Sequence, residues 1–87
     1  LELRLQEIIV GESSSLVHNT LGDAHVRSQT GVNVLAVRRD KRTFDTNPGG
    51  DFVVEAGDAL VCLGTPEQLN VMAEFAADGR RRLQVAS

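Results

Sequence analysis

The sequence predicts an α/β (α+β) fold: a small mixed β-sheet carrying two main helices, in the order β-α-β-β-β-β-α. Three observations carry this. Leu1, Leu3 and Leu5 alternate with Glu2, Arg4 and Gln6, the two-residue period of a strand with one wet face. Residues 32–37 and 59–63 are nearly unbroken apolar runs rich in β-branched side chains, the pattern of well-buried strands. Gly64-Thr65-Pro66-Glu67-Gln68 then opens a helix, with Thr as N-cap, Pro at the first helical position and Gln at the third.

The remaining elements follow in chain order. Ile8-Ile9-Val10 breaks the opening alternation, which implies a bulge or burial of both faces. Residues 11–15 form a turn. Val17, Leu21 and Ala24 recur at helical spacing, and Gly22 keeps that helix short. Thr30-Gly31 closes a turn before the strand at 32–37. Arg38 to Arg42 make a charged hairpin with Asp40-Lys41 at the tip, and Thr43-Phe44 begin a short return strand. Asn47-Pro48-Gly49-Gly50 is strong punctuation. Residues 52–55 read as a short strand, and Ala56-Gly57-Asp58 as a turn leading into the strand at 59–63. In the last helix Leu69, Met72, Ala73 and Ala76 form the apolar stripe, and Gly79 ends it.

With 87 residues the chain makes one domain. A core of this size buries only ~60% of the unfolded surface, so a partner subunit is expected to contribute stability. The single cysteine, Cys62, cannot form a disulfide within the chain. Net charge is −3. The basic residues fall in two local knots, Arg38 to Arg42 and Arg80 to Arg82, rather than a stripe. Trp and Tyr are absent, so neither a phosphate-tracking surface nor a base-stacking platform is present. Nucleic acid is therefore not an expected partner. No apolar run approaches the ~20 residues that span a bilayer, which argues against direct membrane insertion. The only methionine is Met72, so the sequence reads as a piece of a longer protein.

The chain offers no catalytic constellation. Serines 13 to 15 lie outside any G-x-S-x-G elbow and suit capping. His18 and His25 are seven apart, ~10 Å along a helix, too far to share a metal. The acidic residues from Glu12 to Asp58 form no helically spaced pair, and Asp58 suits hydrogen bonds to turn N–H groups. No G-x-G-x-x-G or Walker loop is present. A non-enzyme with no metal site and no required cofactor is the expectation. A small enzyme or metal protein is the alternative from another class.

Five segments, in order, resemble the C-terminal RCK (TrkA-C) domain of potassium channel and transporter regulators. Residues 14–21, Ser-Ser-Leu-Val-His-Asn-Thr-Leu, resemble its S-x-L-x-G-K-T-L helix entry, with His18-Asn19 replacing the Gly-Lys pair. Val26-Arg27 resembles the end of that helix, and residues 31–39 its g-v-x-v-l-a-I-x-R strand. Pro48 matches the proline after the hairpin. Residues 54–65 are similar to its l-x-x-G-D-x-L-x-v-x-G segment, which Gln68-Leu69 continues into the last helix. The resemblance spans roughly residues 3–77, within a regulatory domain assigned to 1–79; residues 80–87 read as a linker or tail.

The resemblance implies a non-catalytic, ligand-binding and dimerising module. Its partners are a copy of itself and a membrane channel or transporter of the same parent chain or complex, and its place is the cytoplasm. Potassium is the implied ion, with a cation/proton antiporter or carboxylate carrier as the alternative host. Some family members bind cyclic di-AMP between two such domains, which makes it the candidate ligand. By the same resemblance Arg27, Asn33 and Pro48 are the candidate ligand-binding residues. The helix face Leu21 and Val26 and the strand face Val32, Val34, Leu35 and Val37 are the candidate dimer interface.

Overall fold

The computed structural model describes residues 2–77. Strands β1 (Arg4–Ile9), β2 (Asn33–Arg38), β3 (Phe44–Thr46) and β4 (Ala59–Gly64) form one sheet in the order β1-β4-β2-β3. Helices α1 (Val26–Thr30) and α2 (Pro66–Ala76) complete the domain. The α/β class stands. The sheet, expected to be mixed, is antiparallel in each of its three pairings.

α2 forms where its local signals place it. Thr65 Oγ1 accepts the Gln68 N–H and Gln68 Oε1 accepts the Thr65 N–H, a reciprocal cap that satisfies two orphan donors. The helix ends at Ala76, so Gly79, expected to stop it, lies outside the described residues, as does the 80–87 tail. Leu69, Met72 and Ala76 of α2 pack with Ile8, Leu60, Cys62 and Val37 of the sheet to form the core.

The first helix is later and shorter than its spacing predicts. Residues 12–25 run mostly as successive turns, and only five residues are helical. The competing claim on this backbone comes from another part of the chain. The N–H groups of His18, Leu21 and Gly22 donate to the carbonyls of Val54, Phe52 and Gly50, and Asn19 accepts from the Val54 N–H. Those bonds replace helical ones, and His18 and His25 sit in left-handed conformations that interrupt a helix (φ 66° and 52°). Of the stripe residues, Leu21 lies in the core and Val17 and Ala24 pack partly buried against it, while Leu16 and Val26 are core residues beside them. Residues 52–55, expected as a sheet strand, make only an isolated bridge, Thr20 to Val53.

Asp58 and Ser14 stitch the loops to this frame. Asp58 is 1% exposed and accepts from the Arg39 guanidinium at 2.8 and 2.9 Å and from the Glu55 N–H at 2.8 Å. Arg39 also donates to the Val53 carbonyl and lies over the Phe52 ring, 5.2 Å from its centroid. The buried Ser14 hydroxyl donates to the Phe75 carbonyl and accepts the Leu16 N–H, so it is occupied in holding a loop against α2.

The two faces of the sheet differ. Ile8, Leu60, Cys62, Val34 and Val37 point to the helices, whereas the alternate positions Leu5, Glu7, Ile9, Val61, Leu63, Arg38 and Phe44 point away. The Leu3 and Leu5 series therefore lies on the uncovered side, and the change of parity at Ile8 supplies the core side of β1.

Cys62 is fully buried on the helix side, and burial pushes its thiol up to about 12. The thiolate is the reacting species. Iodoacetamide at mildly alkaline pH is therefore expected to label the native domain at least ~100-fold more slowly than the domain in urea. Equal rates would mean that the β4 core opens freely.

Candidate ligand cleft

Two short-range devices place Arg27 and Asn33 side by side. Gly31 ends α1 in the left-handed region (φ 79°), and its N–H donates to the Arg27 carbonyl at 2.8 Å. The Thr30 hydroxyl donates to the Val26 carbonyl and accepts the Val32 N–H, so the chain turns at once from α1 into β2. Gln68 packs behind this turn so closely that a Cβ on Gly31 would stand 2.5 Å from Nε2. The α2 cap and the α1–β2 turn thus hold one another in place.

The facing wall is the loop after β3. Asn47 adopts a left-handed backbone (φ 58°) and its N–H donates to the Leu35 carbonyl at 2.7 Å. β2 is bulged between Val34 and Ala36, which turns Leu35 outward. Further on, the Gly22 N–H donates to the Gly50 carbonyl at 2.8 Å, and a Cβ on Gly22 would lie 2.9 Å from that oxygen. Only glycine lets the loop come that near the entry to α1.

Between these walls lies a cleft of about 290 Å³ lined by Leu21, Gly22, Val26, Arg27, Val32, Asn33, Val34, Asn47, Pro48 and Gly50. The structure brings Arg27, Asn33 and Pro48 together in it. Asn47, Gly22 and Gly50 escaped the sequence reading. The Asn-Pro-Gly-Gly string marks a turn but does not say which element that turn touches. Arg27 is exposed and takes no part in the ion pairs of the described residues, which engage Arg4, His18, Arg38 and Arg39. The cleft therefore offers an uncommitted guanidinium, two carboxamides and an apolar floor. That suits an anion attached to a flat, largely apolar body.

The candidate dimer-interface residues are largely buried within the single domain. Leu21, Val26, Val32 and Val37 are at most 9% exposed within the single domain, because the turns at 12–25 and α2 already cover them. Three of these four floor the cleft instead. Leu35 remains exposed and Val34 half-buried at its edge. His18 and His25, each set apart by a left-handed turn, share no site: His18 meets Glu55 at 3.1 Å. Among the described residues no three of His, Cys, Asp and Glu gather as metal ligands, and no helix is long and apolar enough to cross a membrane.

The TrkA-C domain family matches residues 5–77. The chain belongs to that family. TrkA-C (RCK_C) domains are regulatory domains of potassium transport proteins. A curated relative, probable potassium channel protein 2 of Methanocaldococcus jannaschii, is 29% identical over 82 residues, 94% of this chain and 24% of that protein. The chain thus spans about a quarter of the relative's length. Among solved structures, the RCK_C domain dimer of S. agalactiae BusR in complex with c-di-AMP is 30% identical with a TM-score of 0.75, covering 84% of this chain and 89% of that one. BusR is also solved with its busAB-promotor DNA, where the match covers 82% of this chain and 34% of the longer one. The RCK C domain of the potassium transport protein KtrA, in complex with cyclic di-AMP, is 25% identical with a TM-score of 0.74, covering 84% and 82%.

Proposed function

We propose that this TrkA-C domain is a non-catalytic cytoplasmic regulator of potassium flux, which binds cyclic di-AMP in the cleft shared by two copies of itself. The observation that carries the reading is the convergence of Arg27, Asn33 and Pro48, from α1, β2 and the loop after β3, on one cleft. Its volume of about 290 Å³ is at the lower end for a small-molecule site and suits half of a cyclic dinucleotide. A two-fold ligand between two copies presents each half to one cleft.

Each residue then has a role. The Arg27 guanidinium meets a phosphate through paired N–H bonds, a geometry that lysine cannot copy. The Asn33 carboxamide donates and accepts along an adenine edge. Val26, Val34 and Pro48 supply the apolar walls that a purine face needs. Leu35, exposed beside the cleft, meets the second copy. Ligand binding draws the two domains together, and the attached channel or transporter, in the same parent chain or complex, reads that change. The potassium channel and KtrA relatives favour potassium over another transported species. Nucleic acid is not part of this reading.

A thermal-shift panel tests it. Cyclic di-AMP at ~100 times its dissociation constant is expected to stabilise the domain by about 2.7 kcal/mol, a rise of roughly 10–20 °C for a domain this small. ATP and divalent cations are expected to leave the melting temperature unchanged. A shift with ATP or a cation and none with cyclic di-AMP would refute the assignment.

A further inference from the structure

We infer that the outer edge of β1 is a docking edge for this chain's own residues 83–86, which add to the sheet as an antiparallel strand beside β1. The topology leaves that lane vacant among the described residues. β1 and β2 both run antiparallel to β4, so they are parallel to each other across it, and the chain joining them crosses on the helix side. β4 and α2 begin the same crossover towards the opposite edge. α2 runs back along β1, because its end is fixed beside Gly11, whose N–H donates to the Ala76 carbonyl at 2.8 Å. A strand returning from there beside β1 lies parallel to β4, with β1 between them. Strand direction and direction of travel are both reversed relative to the first crossover, and both helices lie on one face. The two crossovers therefore share one hand, as the near-fixed handedness of such connections requires. The sheet then holds two interleaved β-α-β units, the split pattern of a β-α-β-β-α-β fold.

The edge and the tail match. β3, at the far edge, is three residues long, a common way of blunting an edge. β1 has six residues, with Leu5 65% and Ile9 55% exposed on the uncovered face. The outer row of backbone groups on β1 has no partner among the described residues. Residues 78–82 leave six links between Ala77 and Leu83, at most ~20 Å, and a helix-to-strand connector of that length is ordinary. Leu83 and Val85 alternate with Gln84 and Ala86, the period of a strand with one apolar side. The surroundings choose which side faces out. On α2, Gln68 packs against the α1–β2 turn, so the exposed Asn70 and Glu74, on the other flank of the helix, border the β1 edge. Apolar neighbours thus lie on the uncovered face and polar ones on the helix side. Leu83 and Val85 belong beside Leu5 and Ile9, and Gln84 towards α2. Arg80, Arg81 and Arg82 fall in the connector, near Glu74 and Glu12, which lie outside the described ion pairs. A strand from elsewhere would lack this tether and this charge match. The inference stands apart from the cleft, which lies on the β2 side of the sheet.

Residue-resolved amide hydrogen exchange on the whole chain tests it. The β1 amides that point away from β4 are expected to exchange at least ~100-fold more slowly than unstructured peptide. That protection should be the same at tens and at hundreds of micromolar. Truncation after Arg82, and separately Leu83→Asp/Val85→Asp, should return those amides to near peptide rates while the amides bonded to β4 stay protected. Cross-strand Hα–Hα contacts between residues 83–86 and β1 are expected in the NMR spectrum of the wild-type chain, a readout that needs no variant to fold. Their absence, or outer amides that exchange as free peptide, would overturn the inference. So would protection that survives the truncation, and protection lost on dilution would give the edge to a second copy instead.

Discussion

Asp58→Ala is expected to destabilise the domain by about 2–3 kcal/mol, lowering its melting temperature by roughly 10–20 °C. The full cost of breaking a buried ion pair is larger, but Arg39 is 40% exposed and can turn to water once its partner is gone. What remains is an unpaired Glu55 N–H, a cavity and the release of the β2–β3 corner from the turn before β4. Burial acts to raise the Asp58 pKa. The Arg39 hydrogen bond, the Glu55 N–H and the Arg39 charge together outweigh it and hold the carboxyl below its ordinary value. A depressed folded pKa contributes stability that is fully present above the unfolded value of ~3.9 and is lost as pH falls through the folded value. Urea titrations of wild type and Asp58→Asn should therefore differ by a constant amount from pH 8 to pH 5 and converge in acid. A gap that persisted undiminished at pH 2 would mean that the carboxylate charge contributes nothing.

The elements legible in the sequence are those whose signals are local. Thr65, Pro66 and Gln68 each satisfy or remove an orphan N–H within four residues, so α2 begins where its cap says it must. The runs at 32–37 and 59–63 became neighbouring strands because only a sheet interior accommodates such unbroken apolar sequences. The stripe Val17, Leu21 and Ala24 failed as a continuous helix because successive turns can bury residues at similar spacing. The deciding bonds come from residues 50–54, some thirty positions away, and periodicity carries no record of them.

A similar limit applies to which apolar residues stay exposed. Leu1, Leu3 and Leu5 set one parity and Ile8 with Val10 the other, and the sequence does not say which parity faces the helices. The structure gives the helices Ile8 and Val10, so Leu3 and Leu5 are left outside. The valines expected at the interface were strong core formers and took the core. In the cleft, Arg27, Asn33 and Pro48 came from likeness to the family, and spacing alone would not have joined them. Their meeting depends on Gly22 and Gly50 touching, a contact between two loops.

Arg27→Ala is expected to weaken cyclic di-AMP binding at least ~100-fold while leaving the fold and its self-association intact. A charge-assisted hydrogen bond contributes about 1.5–3 kcal/mol, and a ligand held between two copies meets Arg27 twice. At 1.4 kcal/mol per factor of ten, the two contacts together account for two decades or more. Arg27→Lys keeps the charge but loses the paired N–H geometry, so it should fall between wild type and alanine. Asn33→Ala, which removes a neutral contact, should cost about tenfold for each copy engaged. The guanidinium lies outside the domain's described ion pairs, so its removal is expected to change unfolding free energy by less than ~0.5 kcal/mol. Isothermal titration calorimetry supplies the affinities and sedimentation velocity the mass. An Arg27→Ala domain that bound within threefold of wild type would take the phosphate away from this cleft. A domain that lost binding together with its self-association would make Arg27 a residue of the seam rather than a reader of the ligand.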